Sequence, residues 1–379
     1  MTQRPVKVAF LGSGMIATFS YGYLVGTPHL ADKIDVVAVC DPLIARARTV
    51  AAEYRIPHVY ESIDDLLATS DAELVVNLTP IPLHGETSLK VLRSGRHLVT
   101  EKPIASTVED ATALIETAKE RGLTLVCAPP ELLDPTIAEV TRLVAAGAIG
   151  KTAFARVRSS HEGPAGRNWP NDPTWFYQSG SGPLLDMGVY GIHQITGILG
   201  PAKRVVGFSG ITEPVRTVRG GPFDGKKITV TADDNTLLML DFGESTFAVV
   251  DGSFNVHAAK SPRVEIFGRA GTITIPDPYY PTPNAPFFEL FRLDVLEGVD
   301  GWISSRSSTL AAAHRRFEQL QRTAVIEHAV DCIRSKQHPL LSGEHARHAL
   351  EIMLKAIESA RTGQTLDLAT SFPMGVPAR

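Results

Sequence analysis

The N-terminal third of the chain alternates short apolar runs with polar segments of helical character. The runs are Val6 to Leu11, Ile34 to Cys40, Leu74 to Leu78, His97 to Thr100 and Leu123 to Cys127. One predicted helix begins near His84 and stops at Gly95, and another begins at Thr107 and ends near Gly122. Strands that alternate with helices in this way predict a mostly parallel, doubly wound sheet.

The pattern changes after Pro129-Pro130 and a helix predicted from Pro135 to Ala146, because apolar and polar positions then alternate with a period of two. The predicted strands are Thr152 to Ser160, Val205 to Gly210, Ile228 to Thr231, Thr236 to Phe242, Thr246 to Phe254, Arg263 to Phe267 and Gly271 to Ile275. Consecutive strands joined by glycine-containing turns indicate an open, mostly antiparallel sheet flanked by helices.

The length of 379 residues exceeds the size at which one hydrophobic core usually stops growing. We therefore predict an α/β protein with a doubly wound domain over residues 1–128 and a second α/β domain over residues 129–379. A proline-rich loop is predicted from Pro276 to Pro286. Two helices, Leu310 to Ser335 with breaks and Gly343 to Arg361, close the chain and can pack back on the first domain.

Composition narrows the class of partner. The formal net charge of −4 offers no general attraction to nucleic acid or to an anionic membrane, so small molecules and copies of the chain itself are the expected partners. The cysteines Cys40, Cys127 and Cys332 are odd in number and far apart, which fits a reducing compartment. The start resembles no secretory signal and no run of apolar residues is long enough to span a bilayer, so we expect a cytoplasmic protein.

A glycine-rich turn, Gly12-Ser13-Gly14-Met15-Ile16-Ala17, follows the first apolar run. Its first glycine permits a tight turn, its second lets a pyrophosphate approach the backbone, and its alanine allows the next helix to pack on the strand. The pattern is typical of a dinucleotide site, although an ordinary strand-to-helix turn also produces it.

Asp41 ends the second apolar run and can accept hydrogen bonds from an adenosine ribose, whereas its charge repels a 2′-phosphate. This favours NAD over NADP. Arg46 would weaken the preference if it reached the ribose, and Asp41 could instead cap a helix ahead of Pro42.

Two further strand ends carry candidate site residues. At the third run, Thr79 can supply a hydroxyl, Pro80 stiffens the turn, and His84 is either a cofactor or substrate contact or a polar residue at a helix N-terminus. At the fourth run, the segment Glu101-Lys102-Pro103 offers a lysine at the expected cofactor edge of the sheet. The alternative for Lys102 is a strand-end lysine that pairs with Glu101 in solvent.

A third candidate element is the helix predicted around Asp186 to Leu199. Asp186, Tyr190 and His193 are spaced i, i+4 and i+7, which places them on one stripe of an α-helix. The other faces are apolar, and the stripe lacks the lysines and glutamates of a solvated surface. We therefore expect the stripe to line a cavity.

An aromatic segment precedes this helix. Aromatic faces with interspersed polar groups suit sugar rings, whose C–H faces are apolar and whose edges are polar. The alternative is that these aromatic residues pack the loop down. The candidates for substrate contact are His161, Trp169, Trp175 and Tyr177, with Arg167, Asn168 and Phe176 nearby.

Together these motifs resemble the glucose-fructose oxidoreductase, inositol dehydrogenase and MocA (Gfo/Idh/MocA) oxidoreductase family over nearly the whole chain. The resemblance rests on the glycine turn, Thr79-Pro80 with His84, Glu101-Lys102-Pro103, and the run from Gly180 to Gly200. It implies an N-terminal Rossmann domain that binds NAD, and a C-terminal domain that binds sugar, cyclitol or related polyol substrates. It also implies a homodimer or homotetramer formed through the C-terminal sheet.

The resemblance also implies roles for single residues. Lys102 is the main acid/base, with Asp186 and Tyr190 in support, and His193 is either a substrate ligand or a buried histidine. Inositol-dehydrogenase-like members have a histidine where this chain has Tyr190, so the partner of Lys102 stays open between Tyr190, His193 and no partner. The residues assigned to the cofactor are Gly12, Ser13, Gly14, Met15, Ile16, Asp41, Arg46, Thr79, Pro80, His84, Glu101 and Lys102.

Several classes of function are rejected or kept open. No metal site is expected, because the cysteine and histidine spacing is wrong, and a serine hydrolase lacks its G-x-S-x-G elbow. An NAD(P)-dependent sugar or polyol dehydrogenase or reductase is the first expectation. A redox-neutral NAD-dependent glycosidase or lyase that oxidises the sugar transiently is the alternative, and a non-catalytic cofactor-bound sensor is a third possibility.

Overall fold

The structure is a computed structural model that describes residues 4–21, 30–277, 286–305, 308–320 and 323–375. The chain divides into two compact units, one of residues 1–133 and 315–350 and the other of residues 134–314 and 351–379. Each unit is built on its own sheet. The first unit therefore includes a C-terminal segment besides the N-terminal third of the chain.

The first sheet has six parallel strands in the order β3-β2-β1-β4-β5-β6. The strands are β1 (Val6–Leu11), β2 (Ile34–Cys40), β3 (His58–Tyr60), β4 (Leu74–Asn77), β5 (His97–Thr100) and β6 (Leu125–Cys127). This is the strand order of a Rossmann domain, and the order reverses between β1 and β4. The carboxyl ends of these two strands therefore mark the expected ligand edge.

Four helices follow strands of this sheet, namely α1 (Ile44–Tyr54), α2 (Ile63–Thr69), α3 (His84–Arg93) and α4 (Val108–Glu120). The predicted start of α4 is confirmed, because the Thr107 hydroxyl accepts a hydrogen bond from the Asp110 N–H at 3.1 Å. Between β1 and β2 the backbone is helical from residue 15 to residue 21, and residues 17–21 form a π-helical turn.

The second unit contains a nine-stranded sheet in the order β16-β15-β14-β13-β7-β12-β11-β8-β17. Its pairs are antiparallel except for β7 with β12, as predicted for a mostly antiparallel sheet. The strands of this unit, including the separate ribbon β9–β10, are β7 (Thr152–Val157), β8 (Arg204–Gly210), β9 (Val215–Thr217), β10 (Lys227–Thr229), β11 (Asn235–Gly243), β12 (Thr246–Ser253), β13 (Val264–Gly268), β14 (Gly271–Ile275), β15 (Glu289–Leu296), β16 (Val299–Ser304) and β17 (Leu366–Asp367).

The remaining helices are α5 (Pro135–Ala145), α6 (Val189–Leu199), α7 (Ser308–Leu320), α8 (Ala324–Ser335) and α9 (Gly343–Thr362). Helix α8 packs on β5 and β6 of the first sheet. Its position is also fixed from the side of β2, because the Lys33 ammonium forms ion pairs with Glu327 and Asp331 at 2.8 Å each.

The structure differs from the prediction in several places. β7 ends at Val157 instead of Ser160, because the Ser159 N–H donates to the Asp251 carboxylate at 2.8 Å and leaves the ladder. The hairpin β15–β16 was not predicted, since its residues are mostly exposed on both faces and show no alternation. Most of the loop predicted from Pro276 to Pro286 lies outside the described residues.

Candidate active site

The glycine turn after β1 is a fixed piece of backbone. The Gly12 N–H donates to the Cys40 carbonyl at 2.7 Å, and its φ is +104°. A Cβ at this position would lie 2.7 Å from the Leu78 carbonyl oxygen, so any larger residue would clash with the end of β4. A Cβ on Gly14 would meet nothing within 4 Å. The turn is therefore tight at its first glycine and open at its second, as a bound pyrophosphate requires.

Asp41 ties the ends of β1 and β2 together. One carboxylate oxygen accepts hydrogen bonds from the Ser13 N–H at 2.9 Å and the Ser13 hydroxyl at 2.8 Å. The other accepts from the Leu43 N–H at 2.8 Å. The oxygen bonded to Leu43 can accept a further bond, which a ribose hydroxyl could supply. Arg46 is exposed in the first turn of α1.

Asn77, at the end of β4, organises the turn that contains Thr79. Its side-chain oxygen accepts from the Thr79 N–H at 3.1 Å and from the Thr79 hydroxyl at 2.7 Å. Its amide nitrogen donates to Ser88 and Thr87 of α3 at 2.9 and 2.8 Å. Sequence reasoning missed Asn77, although a wholly buried amide at the end of an apolar strand is a signal for such a network.

His84 joins two strand ends. Its ring nitrogens lie 2.7 Å from the Thr79 carbonyl oxygen and 2.7 Å from the Pro103 carbonyl oxygen, and the side chain is 1% exposed. Burial lowers the pKa of His84, whereas the two carbonyls raise it, and the neutral ring donates to only one of them. Both nitrogens face backbone carbonyls, so His84 positions the Thr79 turn against the segment that follows Lys102.

The segment after β5 is held by the buried carboxylate of Glu101. This carboxylate accepts from the Tyr21 hydroxyl at 2.9 Å and from the Lys102 backbone N–H at 3.2 Å. The Glu101 N–H donates to the Asn77 carbonyl at 3.1 Å, which joins the ends of β4 and β5. Lys102 is half-buried and precedes a cis peptide bond to Pro103. A solvated Glu101–Lys102 pair does not fit this burial of Glu101.

The helix that carries Asp186 begins with a π-helical turn, Leu184–Gly188, and continues as α6. Asp186 and Tyr190 are half-buried, and every other residue from 182 to 198 is buried, including His193 at 3% exposure. The expectation of one continuous α-helix was wrong at its first turn, and the shared stripe of Asp186, Tyr190 and His193 stays a prediction. A π-turn rotates less per residue than an α-turn, which shifts Asp186 relative to the residues of α6.

Ser159 supports the junction between the π-turn and α6. Its hydroxyl donates to the Met187 carbonyl at 2.5 Å and accepts from the Gly191 N–H at 3.2 Å. Close packing reinforces the contact, because a Cβ on Gly191 would lie 2.9 Å from a methyl carbon of Val157. Sequence reasoning missed Ser159, since the serine lies outside the helix that it holds.

The aromatic candidates divide into two groups. Tyr177 is 1% exposed and packs in a hydrophobic core cluster. Its hydroxyl accepts a hydrogen bond from the Ala165 N–H at 3.0 Å, and burial raises the pKa of Tyr177 to about 12. His161 is buried and accepts from the Gly163 N–H at 2.8 Å. These two side chains pack the loop down. Trp175 is 38% exposed, and half-buried Trp169 meets Phe176 edge-on at 5.6 Å.

The described residues contain neither a cluster of metal-binding side chains nor a helix that could span a membrane. No three histidine, cysteine, aspartate or glutamate side chains among residues 4–21, 30–277, 286–305, 308–320 and 323–375 are placed to hold a metal ion. In the same ranges, no helix is long and apolar enough to cross a membrane.

Comparison with known proteins places both units. Residues 6–128 match the family model described as "Oxidoreductase family, NAD-binding Rossmann fold", and residues 137–274 match the "GFO/IDH/MocA C-terminal domain". Scyllo-inositol 2-dehydrogenase (NAD(+)) of Bacillus subtilis is 23% identical over 366 residues, which cover 97% of each chain. D-glucoside 3-dehydrogenase of Escherichia coli is 24% identical over 303 residues, 78% of this chain and 85% of that protein.

Among solved structures, a levoglucosan dehydrogenase in complex with NADH and L-sorbose superposes with a TM-score of 0.80 at 20% identity, covering 97% of this chain and 100% of that one. Likeness at this identity shows the shared fold, and the two family models together span more than half of the chain. The chain therefore belongs to the Gfo/Idh/MocA family of NAD-binding oxidoreductases.

Proposed function

We propose that this protein transfers hydride between NAD and a hydroxyl-bearing carbon of a sugar, cyclitol or related polyol, with Lys102 as the main acid/base. The observation that carries the proposal is the shared edge of the first sheet. There the Gly12 turn, the Thr79 turn and the Lys102 segment are joined by hydrogen bonds between strands β2, β1, β4 and β5. The activities of the inositol and glucoside relatives support the class of substrate.

The residues at this edge fit a dinucleotide. Open space at Gly14 admits a pyrophosphate, and one oxygen of the Asp41 carboxylate retains acceptor capacity for a ribose hydroxyl. We assign the other backbone and side-chain contacts to Ser13, Met15, Ile16, Arg46, Thr79 and Pro80. His84 and Glu101 act indirectly, by positioning the Thr79 turn and the Lys102 backbone.

The chemistry divides between cofactor and protein. NAD held at this edge would supply the hydride acceptor for oxidation, and NADH the hydride donor for reduction. The neutral amine of Lys102 takes the hydroxyl proton as the carbon is oxidised, and its ammonium returns the proton in the reverse direction. The positively charged nicotinamide ring of NAD, when bound near Lys102, would favour the neutral amine, which is the form that accepts a proton.

The second unit supplies the supporting groups. Asp186 and Tyr190 are the half-buried members of the helix at residues 182–198, so we assign them to substrate hydroxyl binding and proton exchange. Burial of His193 favours a packing role for this histidine. Among the aromatic candidates, Trp169 and Trp175 keep exposed surface for a sugar face, whereas His161 and Tyr177 support the loop.

The second unit also presents an apolar face that fits self-association. Cross-strand neighbours Phe208 and Leu237, and Met239 and Val249, are exposed on one side of the nine-stranded sheet, and Phe208 is 81% exposed. Soluble monomers rarely expose contiguous apolar patches of this kind. We propose that the sheet forms a homodimer or homotetramer through this face.

A panel assay tests the function. The purified protein is mixed with NAD and, one at a time, with sugars, cyclitols and glycosides. The absorbance of NADH and the amount of organic product are measured in the same reaction. Equal formation of NADH and ketone supports the dehydrogenase. NAD-dependent cleavage of a glycoside without net NADH would instead support the redox-neutral alternative, and binding without any turnover would support a sensor.

A further inference from the structure

We propose that the buried ion pair between Arg216 and Asp234 positions Tyr190, because it fixes the β9–β10 ribbon, which contributes to the buried cluster against which Tyr190 packs. The inference rests on the role given to Tyr190 in the proposed function. Arg216 and Asp234 touch neither the π-turn nor α6 in the contacts described below, so their effect on the tyrosine passes through the ribbon.

Asp234 forms the fixed end of this anchor. Its side chain is 1% exposed, and its carboxylate accepts from the Arg216 guanidinium at 2.7 Å. The same carboxylate accepts from the Thr212 N–H at 2.7 Å and the Thr212 hydroxyl at 2.9 Å, just before the ribbon begins. Arg216 also donates to the Asn255 side-chain oxygen at 2.6 Å, beyond the end of β12. The ribbon is therefore attached to the open end of the β11–β12 hairpin, through Asp234 just before β11 and Asn255 just after β12.

The ribbon connects the ion pair to a buried hydrophobic cluster. Arg216 of β9 lies directly opposite Ile228 of β10, and residues opposite each other in an antiparallel pair share a face. That face lies in a buried cluster to which the ribbon contributes Val218, Ile228 and Val230, and Tyr190 packs against the cluster from outside. The other members of the cluster are Ala165, Tyr177, Met187 and Phe254.

Tyr177 provides a second connection between the Arg216–Asp234 pair and the ribbon. The Arg216 guanidinium carbon lies 5.9 Å from the centre of the Tyr177 ring. The Tyr177 carbonyl accepts from the N–H groups of Thr231 and Ala232 at 2.9 and 3.1 Å, immediately after β10. The Arg216 guanidinium also lies 3.2 Å from the carboxylate of Glu213, which is 58% exposed. Asp234→Asn removes the buried partner of Arg216 and leaves only this exposed one, so it loosens the ribbon and the cluster against which Tyr190 packs.

Glu351 provides a matched control in the same unit. Its side chain is 4% exposed, and its carboxylate accepts from the Ala369 and Thr370 N–H groups at 2.8 Å each while pairing with Lys355 at 2.8 Å. Glu351 thus holds a different chain segment by the same kind of contact. Glu351→Gln removes as much buried charge as Asp234→Asn and leaves the ribbon alone.

The test is a double-mutant cycle of Asp234→Asn with Tyr190→Phe, measured by NADH formation at a temperature where every variant is folded. We expect Asp234→Asn to lower kcat by about tenfold with an unchanged Kd for NAD, and to change the pH profile of kcat. In the Tyr190→Phe background, Asp234→Asn should lower kcat by less than about threefold, because both substitutions remove the same contribution of the Tyr190 hydroxyl. Glu351→Gln should lower the melting temperature and leave kcat at the wild-type value.

Additive losses of kcat would overturn the inference and leave the proposed function intact. So would an equal kcat for Asp234→Asn and Glu351→Gln. A wild-type rate for Tyr190→Phe would remove the tyrosine from the proposed mechanism and overturn the inference with it. If Asp234→Asn does not fold, Arg216→Lys, which keeps the positive charge, enters the same cycle with the same two outcomes.

Discussion

At the scale of single residues, Gly12 and Gly14 of the same turn have different roles, since the first is needed for the fold and the second for cofactor binding. A Cβ on Gly12 would lie 2.7 Å from the Leu78 carbonyl oxygen, whereas a Cβ on Gly14 meets open space. We expect Gly12→Ala to destabilise the fold by about 1 to 3 kcal/mol. Gly14→Ala should keep the wild-type melting temperature but weaken NAD binding by about tenfold or more, since its methyl group occupies space meant for the pyrophosphate. Thermal unfolding and NAD titration of both variants check this, and normal NAD affinity in Gly14→Ala would contradict it.

Asp41 is the residue through which the cofactor preference can be tested. Removing its charge removes the repulsion of a 2′-phosphate, so Asp41→Ala should raise the ratio of kcat/KM for NADP over NAD by about tenfold. The variant should also lose stability, because it leaves the N–H groups of Ser13 and Leu43 without their acceptor. Asp35→Ala, at the exposed start of the same strand, is the control. An unchanged ratio would mean that the ribose is recognised elsewhere.

At the scale of elements, α8 carries a histidine that makes stability depend on pH. Burial lowers the pKa of His328 to about 4, and its Nε2 accepts a hydrogen bond from the Leu340 N–H at 3.0 Å. The folded protein therefore resists protonation of this ring, so the contribution is present above the unfolded pKa of about 6.5 and is lost as the pH falls toward 4.

Between pH 7 and pH 5 we expect the free energy of unfolding to fall by roughly 2 kcal/mol through His328 alone. Chemical denaturation at the two pH values measures this difference. His328→Gln should flatten the dependence, and His58→Gln, at an exposed position, should not. Parallel pH curves for the wild type and His328→Gln would exclude His328 as the cause.

The elements also show what the sequence could and could not predict. Apolar runs bounded by glycine or a polar residue predicted β1, β2, β5 and β14 with the observed bounds. The π-turn at Leu184–Gly188 was missed, because its residue types also fit an α-helix and its geometry depends on Ser159, which follows β7. Likewise, the buried Arg216–Asp234 pair joins residues whose contact is set by tertiary packing, and no periodicity in the sequence indicates it.

At the scale of the whole molecule, the exposed sheet face predicts an assembly. Phe208→Asp places a charge on the most exposed apolar side chain of this face, and we expect it to shift the protein toward monomer in light scattering after size exclusion. Leu83→Asp, at an exposed apolar position on the first unit, should leave the mass unchanged. A monomeric wild type, or an unaltered mass for Phe208→Asp, would contradict assembly through the sheet.

The central claim is that Lys102 performs the proton transfer that accompanies hydride transfer, and one measurement tests it most directly. Single-turnover NADH formation is recorded for Lys102→Ala with the best substrate of the panel, beside Lys90→Ala as a control on α3 and with NAD affinity measured in parallel. We predict that Lys102→Ala slows the chemical step by about a hundredfold to ten-thousandfold while the Kd for NAD stays within about twofold. A chemical step near the wild-type rate in Lys102→Ala would contradict the account.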